Sequence, residues 1–366
     1  MPKISEIASY LESYAPLSYQ ESYDNAGLIV GDPDAKINGI LICLDTIESV
    51  IDEAIAKKCN LVVSHHPIIF KSLKKLNGSN YIERSVIKAI KNDIAIYAIH
   101  TNLDNVSKGV SYKIAEKIGL KNVRILRNKT GTLKKLVTFV PIKDTDQLLS
   151  ALHQAGVGII GNYQQCSFIV EGVGTFMPYD QAKPHIGKKG ILEKVQENRI
   201  EVIFPSFLHE KIVETLKEAH PYEEVAYYIT TLDNENQDAG AGAIGELEKP
   251  IAAKKFLLKL KDQMKLQCIR HSPIFDQFSI TRVAVCGGAG SFLLKDAIRK
   301  KADVFITADF KYHEFFDAEN KIVIADIGHY ESEFFTKELI FEILNKKFTN
   351  IALVLSKVVT NPINYL

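Results

Sequence analysis

The chain has 366 residues, 46% of them hydrophobic and 24% charged, enough for two or three domains with substantial cores. A formal net charge of +1 argues against broad electrostatic capture of nucleic acid or an anionic membrane, and no apolar run approaches the ~20 residues of a membrane span. Five cysteines, at 43, 59, 166, 268 and 286 with no Cys-x-x-Cys, predict buried free thiols in a reducing, cytoplasmic setting, and the opening Met1-Pro2-Lys3-Ile4-Ser5-Glu6 lacks the apolar core of a signal peptide.

Apolar groups at Ile4, Ile7, Ala8 and Leu11 predict a helix over 4–14. The turn-rich Tyr23-Asp24-Asn25-Ala26-Gly27 leads to a strand at 28–30, and a second strand over 40–44 ends at Asp45. An amphipathic helix over 50–58 precedes Leu61-Val62-Val63-Ser64-His65-His66-Pro67. Three apolar residues, two of them β-branched, predict a buried strand, and the proline stops it just after two imidazoles. A helix over 82–91 and a strand over 94–99 come next, ending in His100-Thr101-Asn102-Leu103-Asp104. Such alternation is the pattern of a parallel α/β sheet, where ligands gather beyond the carboxyl ends of the strands. Asp45, His65, His66, His100 and Asp104 all fall there.

Residues 130–235 have another rhythm. Strands over 135–140, 166–171, 199–204 and 225–230 and helices over 145–155 and 208–219 give the order β-α-β-β-α-β of a ferredoxin-like insert, punctuated by Gly172-Val173-Gly174-Thr175-Phe176. The polar Asp233-Asn234-Glu235-Asn236-Gln237-Asp238 links it to the C-terminal part of the chain.

Beyond the insert the pattern of the first part returns. Shifted by 243 positions, 37–66 lies over 280–309 without a gap. Cys43 meets Cys286, Ala54-Ile55 meets Ala297-Ile298, and Lys57-Lys58 meets Lys300-Lys301. Both segments read as strand, helix, strand, so the expected architecture is two duplicated three-layer α/β/α halves, 1–129 and 236–366, forming one unit around the insert. Asp309 takes the place of His66 and should face the same cleft. His100-x-x-x-Asp104 in the first half is echoed by His329-x-x-x-Glu333 in the second.

His65, His66, Asp104, His329 and Glu333 are the candidate metal ligands. If His329 opens a helix, Glu333 at i+4 shares its face. Three imidazoles and two carboxylates can hold two divalent ions with one carboxylate bridging them, Zn first, with Fe, Mn, Co or Mg as alternatives. Each piece also has a plainer reading. Glu331 and Glu333 can serve the helix dipole, and Asp104 can cap the helix near Val110 or hold a turn. Cys286-Gly287-Gly288-Ala289-Gly290-Ser291 either cradles a phosphate or simply turns tightly. His220-Pro221-Tyr222-Glu223-Glu224 is equally a ligand cluster or a strand-entry turn.

The motifs Asp24-Asn25-Ala26-Gly27-Leu28, the His65-His66-Pro67 strand end and His100-Thr101-Asn102-Leu103-Asp104 resemble the N-terminal motifs of the Nif-three-like family, whose members are often labelled GTP cyclohydrolase 1 type 2 homologues. Thr307-Ala308-Asp309-Phe310-Lys311-Tyr312-His313 and Asp326-Ile327-Gly328-His329-Tyr330-Glu331-Ser332-Glu333 resemble its C-terminal ones, and Gly172–Phe176 with His220–Glu224 resemble the insert of its longer bacterial members. Tyr23, Ala308 and Ser332 stand where tryptophan, glycine and threonine are common in the family. The resemblance implies a dinuclear site on His65, His66, Asp104, His329 and Glu333, a toroidal homohexamer, and an insert similar to small signalling and copper-tolerance proteins. The expected function is metal-dependent hydrolysis of a nucleotide such as GTP or of a phosphoester, with His100, Asp309 and His313 as supporting or proton-transfer groups. The alternative is a metal-binding regulatory or scaffold protein whose insert senses a small ligand or partner.

Overall fold

The computed structural model describes residues 1–274 and 278–366. They form two compact units, one made of Met1–Asn128 with Asp238–Leu366 and the other of Lys129–Gln237.

In the first unit the predicted elements appear with small shifts at their ends. Helices Ile4–Tyr14, Glu48–Ala56 and Tyr81–Lys91 alternate with strands Gly27–Val30, Gly39–Cys43, Leu61–Ser64 and Ala95–Ala98. Asn80 starts the third helix by accepting the Glu83 amide at 3.0 Å. Gly119, at φ 78°, ends helix Val110–Ile118 in the left-handed conformation.

One sheet runs Gly27–Val30, Ala95–Ala98, Leu61–Ser64, Gly39–Cys43, Ala352–Leu355. Its central strands are parallel, with Ile42 opposite Val63 and Val63 opposite Tyr97. Alternate residues face opposite ways. Ile40, Ile42, Leu61 and Val63 pack with Ile7 and Leu11 of the first helix and with Leu339 and Ile340 of helix Thr336–Asn345. Leu41, Val62 and Ile96 pack on the other face with Val50, Ile51 and Val86. Helices therefore cover both faces, which is why the strands read as unbroken apolar runs.

The second sheet runs Arg270–His271, Val323–Asp326, Val304–Ala308, Ser279–Ala289, Gly240–Ala252, Lys121–Asn128. Ser279–Ala289, Val304–Ala308 and Val323–Asp326 are parallel, and each sheet places an antiparallel strand beside its third parallel one. The halves expected at 1–129 and 236–366 exchange strands: Lys121–Asn128 pairs with Gly240–Ala252, and Ala352–Leu355 pairs with Gly39–Cys43. Neither sheet is completed by one half alone.

In the second unit strands Leu133–Pro141, Phe168–Phe176, Glu193–Pro205 and Tyr227–Leu232 form an antiparallel sheet. The first lies between the third and fourth, and the second is at an edge. Helices Thr145–Ala155 and His209–Ala219 bury Leu148, Leu152, Ile212 and Leu216 against Leu136, Ile200, Val202 and Phe204. The Gly172–Phe176 stretch, expected as punctuation, is strand, because its backbone pairs residue by residue with Glu193–Glu197.

No helix among the described residues is long and apolar enough to cross a membrane. All five cysteines are free, but only Cys43, Cys59 and Cys286 are buried; Cys166 is half-buried and Cys268 exposed, against the expectation that all are buried.

Candidate metal centre

Most of the parallel strands of both sheets end in ligand-type residues. Leu61–Ser64 delivers His65 and His66, Gly39–Cys43 leads to Asp45, and Ala95–Ala98 leads to His100 and the short helix Thr101–Asp104. From the second sheet, Val304–Ala308 leads to Asp309, and Val323–Asp326 turns through Gly328, at φ 89°, into helix His329–Glu333. A left-handed backbone at that turn suits glycine and no β-branched residue.

Glu333 is 2% exposed and stands at the middle of the site. Its Oε1 is 3.6 Å from His65 Nε2, which lies 3.8 Å from Asp104 Oδ1. Its Oε2 is 3.0 Å from His66 Nε2 and 3.2 Å from His329 Nε2, the i+4 contact expected of a shared helix face. Two groups with the spacing to hold a metal ion thus share one carboxylate: His65, Asp104 and Glu333 on one side, His66, His329 and Glu333 on the other. A third such group is His65, His66 and His100.

The histidines are oriented from behind. His65 Nδ1 donates to the Ile99 carbonyl at 2.9 Å. A carbonyl only accepts, so Nδ1 carries the proton and a neutral His65 presents a lone pair at Nε2. His66 Nδ1 meets Asp45 Oδ1 at 2.8 Å, His329 Nδ1 meets Asp309 Oδ2 at 2.6 Å, and His100 Nδ1 meets Asp24 Oδ1 at 2.7 Å. Carboxylate-backed imidazoles are the usual support of metal ligands, because the carboxylate sets the tautomer and strengthens the ligand. Asp309 reaches this position from a left-handed backbone, φ 58°. It does face the cleft, as its equivalence to His66 predicts, and there it backs His329.

With Nδ1 protonated on His66 and His329, both Nε2 atoms point lone pairs at Oε2 and at each other across 3.3 Å. Such a cluster of acceptors needs a cation within it, either protons or metal. The buried Nε2 of His65, Oδ1 of Asp104 and Oε2 of Glu333 make no well-formed hydrogen bond in the protein. Orphaned polar atoms converging in this way fit divalent ions better than a packed core.

The same contacts set the charges. Burial opposes a charged His66, but Asp45 and Glu333 outweigh it and raise it to about 10. Burial likewise opposes a charged His329, and Asp309 and Glu333 raise it to about 11. Burial keeps His65 low. Burial and then the Glu333 charge hold Asp104 well above the carboxylate range. Glu333 is pushed up by burial, yet the surrounding imidazoles hold it well below its usual value.

The glycine loop serves the same centre. Gly287 and Gly288 donate their amides to Ser111 Oγ at 3.4 Å and Ser332 Oγ at 2.9 Å, so neither amide is open to a phosphate. Gly288 has φ 62°, and a Cβ there would overlap Glu333 Oε1. The positive φ suits the tight turn expected as the alternative to a phosphate cradle, and the close approach to Glu333 is a further reason for glycine that neither reading contained. His313 is exposed on Tyr312–Ala318, with its ring against Tyr312 and Phe316, and among the described residues belongs to none of the groups able to hold an ion. His220, in the second unit, donates from Nε2 to the Phe139 carbonyl, 2.8 Å away, and accepts the Tyr222 amide on Nδ1, as a strand-entry turn would have it. The backing roles of Asp24 and Asp45 escaped the sequence reading. Their signals were present, a carboxylate in the turn before the first strand and one at a strand end.

Known proteins share this architecture. The Bacillus subtilis (strain 168) protein named GTP cyclohydrolase 1 type 2 homolog is 37% identical over 367 residues, covering 99% of this chain and 98% of its own length. A Halalkalibacterium halodurans protein of the same name is 38% identical over 365 residues, covering 98% of each. Among solved structures, a Bacillus cereus protein related to NIF3 superposes with a TM-score of 0.87 at 36% identity, covering 100% of this chain and 99% of its own. The model of the family described as Duf34/NIF3 (NGG1p interacting factor 3) matches residues 2–362, and the chain belongs to that family.

Proposed function

We propose that this protein is a dinuclear metal-dependent hydrolase of a nucleotide such as GTP or of a phosphoester. The observation that carries the reading is the sharing of buried Glu333 between two ligand groups, with His65 and Asp104 on one oxygen and His66 and His329 on the other. Two divalent ions, with Zn the first choice, would supply Lewis acidity and a water acidified to a nucleophile. The protein's own part is to present His65, His66, Asp104, His329 and Glu333, the last shared by both groups, and to keep the imidazoles oriented through Asp45, Asp309 and the Ile99 carbonyl. His100, held by Asp24 and grouped with His65 and His66, is the proton carrier nearest the centre. Burial opposes ionisation of Asp24, but His100 and then Thr101 bring it down to about 2, so a charged carboxylate backs that imidazole at neutral pH. The relatives' name supports a GTP-type substrate, and two adjacent ions suit a phosphoester equally.

We read the two sheets as duplicated α/β units, supported by their matching parallel triplets, and the unit at 129–237 as ferredoxin-like, supported by its β-α-β-β-α-β order. Assembly as a toroidal homohexamer rests on the family resemblance.

The test is elemental analysis of the purified chain followed by turnover assays with GTP and a phosphoester panel. About two ions per chain are expected from the bridged site, with turnover that His65→Ala abolishes. Activity unchanged in His65→Ala refutes the role of the centre. Metal binding without any turnover favours the regulatory reading instead.

A further inference from the structure

A cavity of about 1060 Å³ lies in the second unit, bordered by strands Phe168–Phe176 and Glu193–Pro205, the adjoining 177–186 segment and the 222–224 turn. It is at the upper end of the usual size for a small-molecule site. Two chemistries line it. Phe139, Phe176, Tyr179, Tyr222 and Tyr228 supply aromatic surface, and Glu171, Glu197, Glu223 and Glu224 supply carboxylates.

Glu197 is the anchor. It is 8% exposed, and Tyr222 donates to its Oε1 at 2.8 Å. A Cβ on Gly174 would overlap Oε2, so the glycine in the neighbouring strand makes room for this carboxylate. Aromatic rings gather round the Tyr222 end: Phe176 lies 6.0 Å and His185 6.2 Å from the Tyr222 ring, centroid to centroid.

The charge is unbalanced. Arg199 is the cavity's one arginine, and its guanidinium is held by Glu201 at 2.6 Å. Among the described residues none of Glu171, Glu197, Glu223 and Glu224 forms an ion pair with a lysine or arginine side chain; Glu223 accepts only the Lys183 backbone amide, at 2.7 Å. A buried carboxylate facing a cavity calls for a positive partner. Metal is a poor candidate, because every group of described residues with ion-holding spacing lies in the first unit. Aromatic faces with carboxylates suit an organic ammonium, which gains both cation–π and charge attraction.

We infer that the second unit binds a small organic cation, an ammonium group on an apolar body, with Glu197 as its counter-charge and Tyr222 and Tyr228 as aromatic walls. The cavity is lined by residues of the second unit and the metal centre is built from residues of the first; the readout here is binding, so its failure would leave the hydrolase reading standing.

The test uses the full-length protein and calorimetric titration with benzyltrimethylammonium, benzyl alcohol and phenylacetate. The cation should bind saturably and at least tenfold more tightly than the neutral or anionic probe. Glu197→Gln, which keeps an acceptor for Tyr222, should weaken the cation about tenfold without lowering the unfolding temperature, and Tyr228→Ala, at an exposed ring, about threefold. Equal affinity for the three probes, no binding of the cation, or full affinity in Glu197→Gln would overturn the proposal.

Discussion

Gly288→Ala separates the metal centre from the fold that carries it. Two effects act at that position. The left-handed backbone, φ 62°, costs an alanine about 1–2 kcal/mol. The new methyl also overlaps Glu333 Oε1, which must retreat by about 1 Å to reach ordinary contact distance. That oxygen faces His65, so the retreat falls on the side of the centre formed by His65 and Asp104. A shift of about 1 Å is twice the tolerance of a preorganised site, and a loss of about 100-fold in affinity for one ion is expected. Gly119→Ala is the control: it too has a positive φ, 78°, but its Cβ would meet nothing within 4 Å. Thermal unfolding should show similar destabilisation in the two variants, while elemental analysis and metal titration should show a deficit in Gly288→Ala alone. Full metal content and affinity in Gly288→Ala, or an equal deficit in Gly119→Ala, would refute the placement of Glu333 as the shared ligand.

Metal uptake should release protons, because His66 and His329, charged at neutral pH in the metal-free protein, must become neutral to bind. Calorimetry at pH 7.5 in buffers of different ionisation enthalpy should show net release, and affinity should rise with pH between 6 and 9; no dependence on buffer would contradict the charged imidazoles. In the metal-free chain both folded values lie above the ordinary histidine value, so their stabilisation is complete below about pH 6.5 and fades as pH rises through 10 to 11. Melting scans from pH 7 to 11 should therefore fall more steeply without metal than with it. Asp309→Asn and Asp45→Asn should each weaken metal binding about 10–100-fold with the fold intact, whereas exposed His313→Ala should leave metal content unchanged. A metal deficit in His313→Ala would put that residue at the centre.

Local chemistry determined much of this protein by itself. Unbroken apolar runs such as Leu61-Val62-Val63 predicted strands covered on both faces, because a run without polar alternation has no side to give to water. The placing of ligands at strand ends, and of His329 and Glu333 on one helix face, came from periods of two and 3.6 residues. Family motifs were legible for the same reason, being short stretches whose chemistry is contained within a few residues.

Other features depended on contacts that no local period encodes. Which carboxylate backs which imidazole is one: Asp24 reaches His100 and Asp45 reaches His66 from distant strands and turns, brought together by strand order and burial. The exchange of Lys121–Asn128 and Ala352–Leu355 between the sheets is another, since an edge strand takes whatever backbone is left unpaired once the apolar faces are covered. The Gly172–Phe176 stretch shows the same limit, its glycines reading as breakers until a partner strand engages their backbone. Most of all, His65-His66 and Glu333 are each unremarkable in the chain. Only the tertiary structure buries one carboxylate among three imidazoles, where water cannot screen it and a cation must answer it.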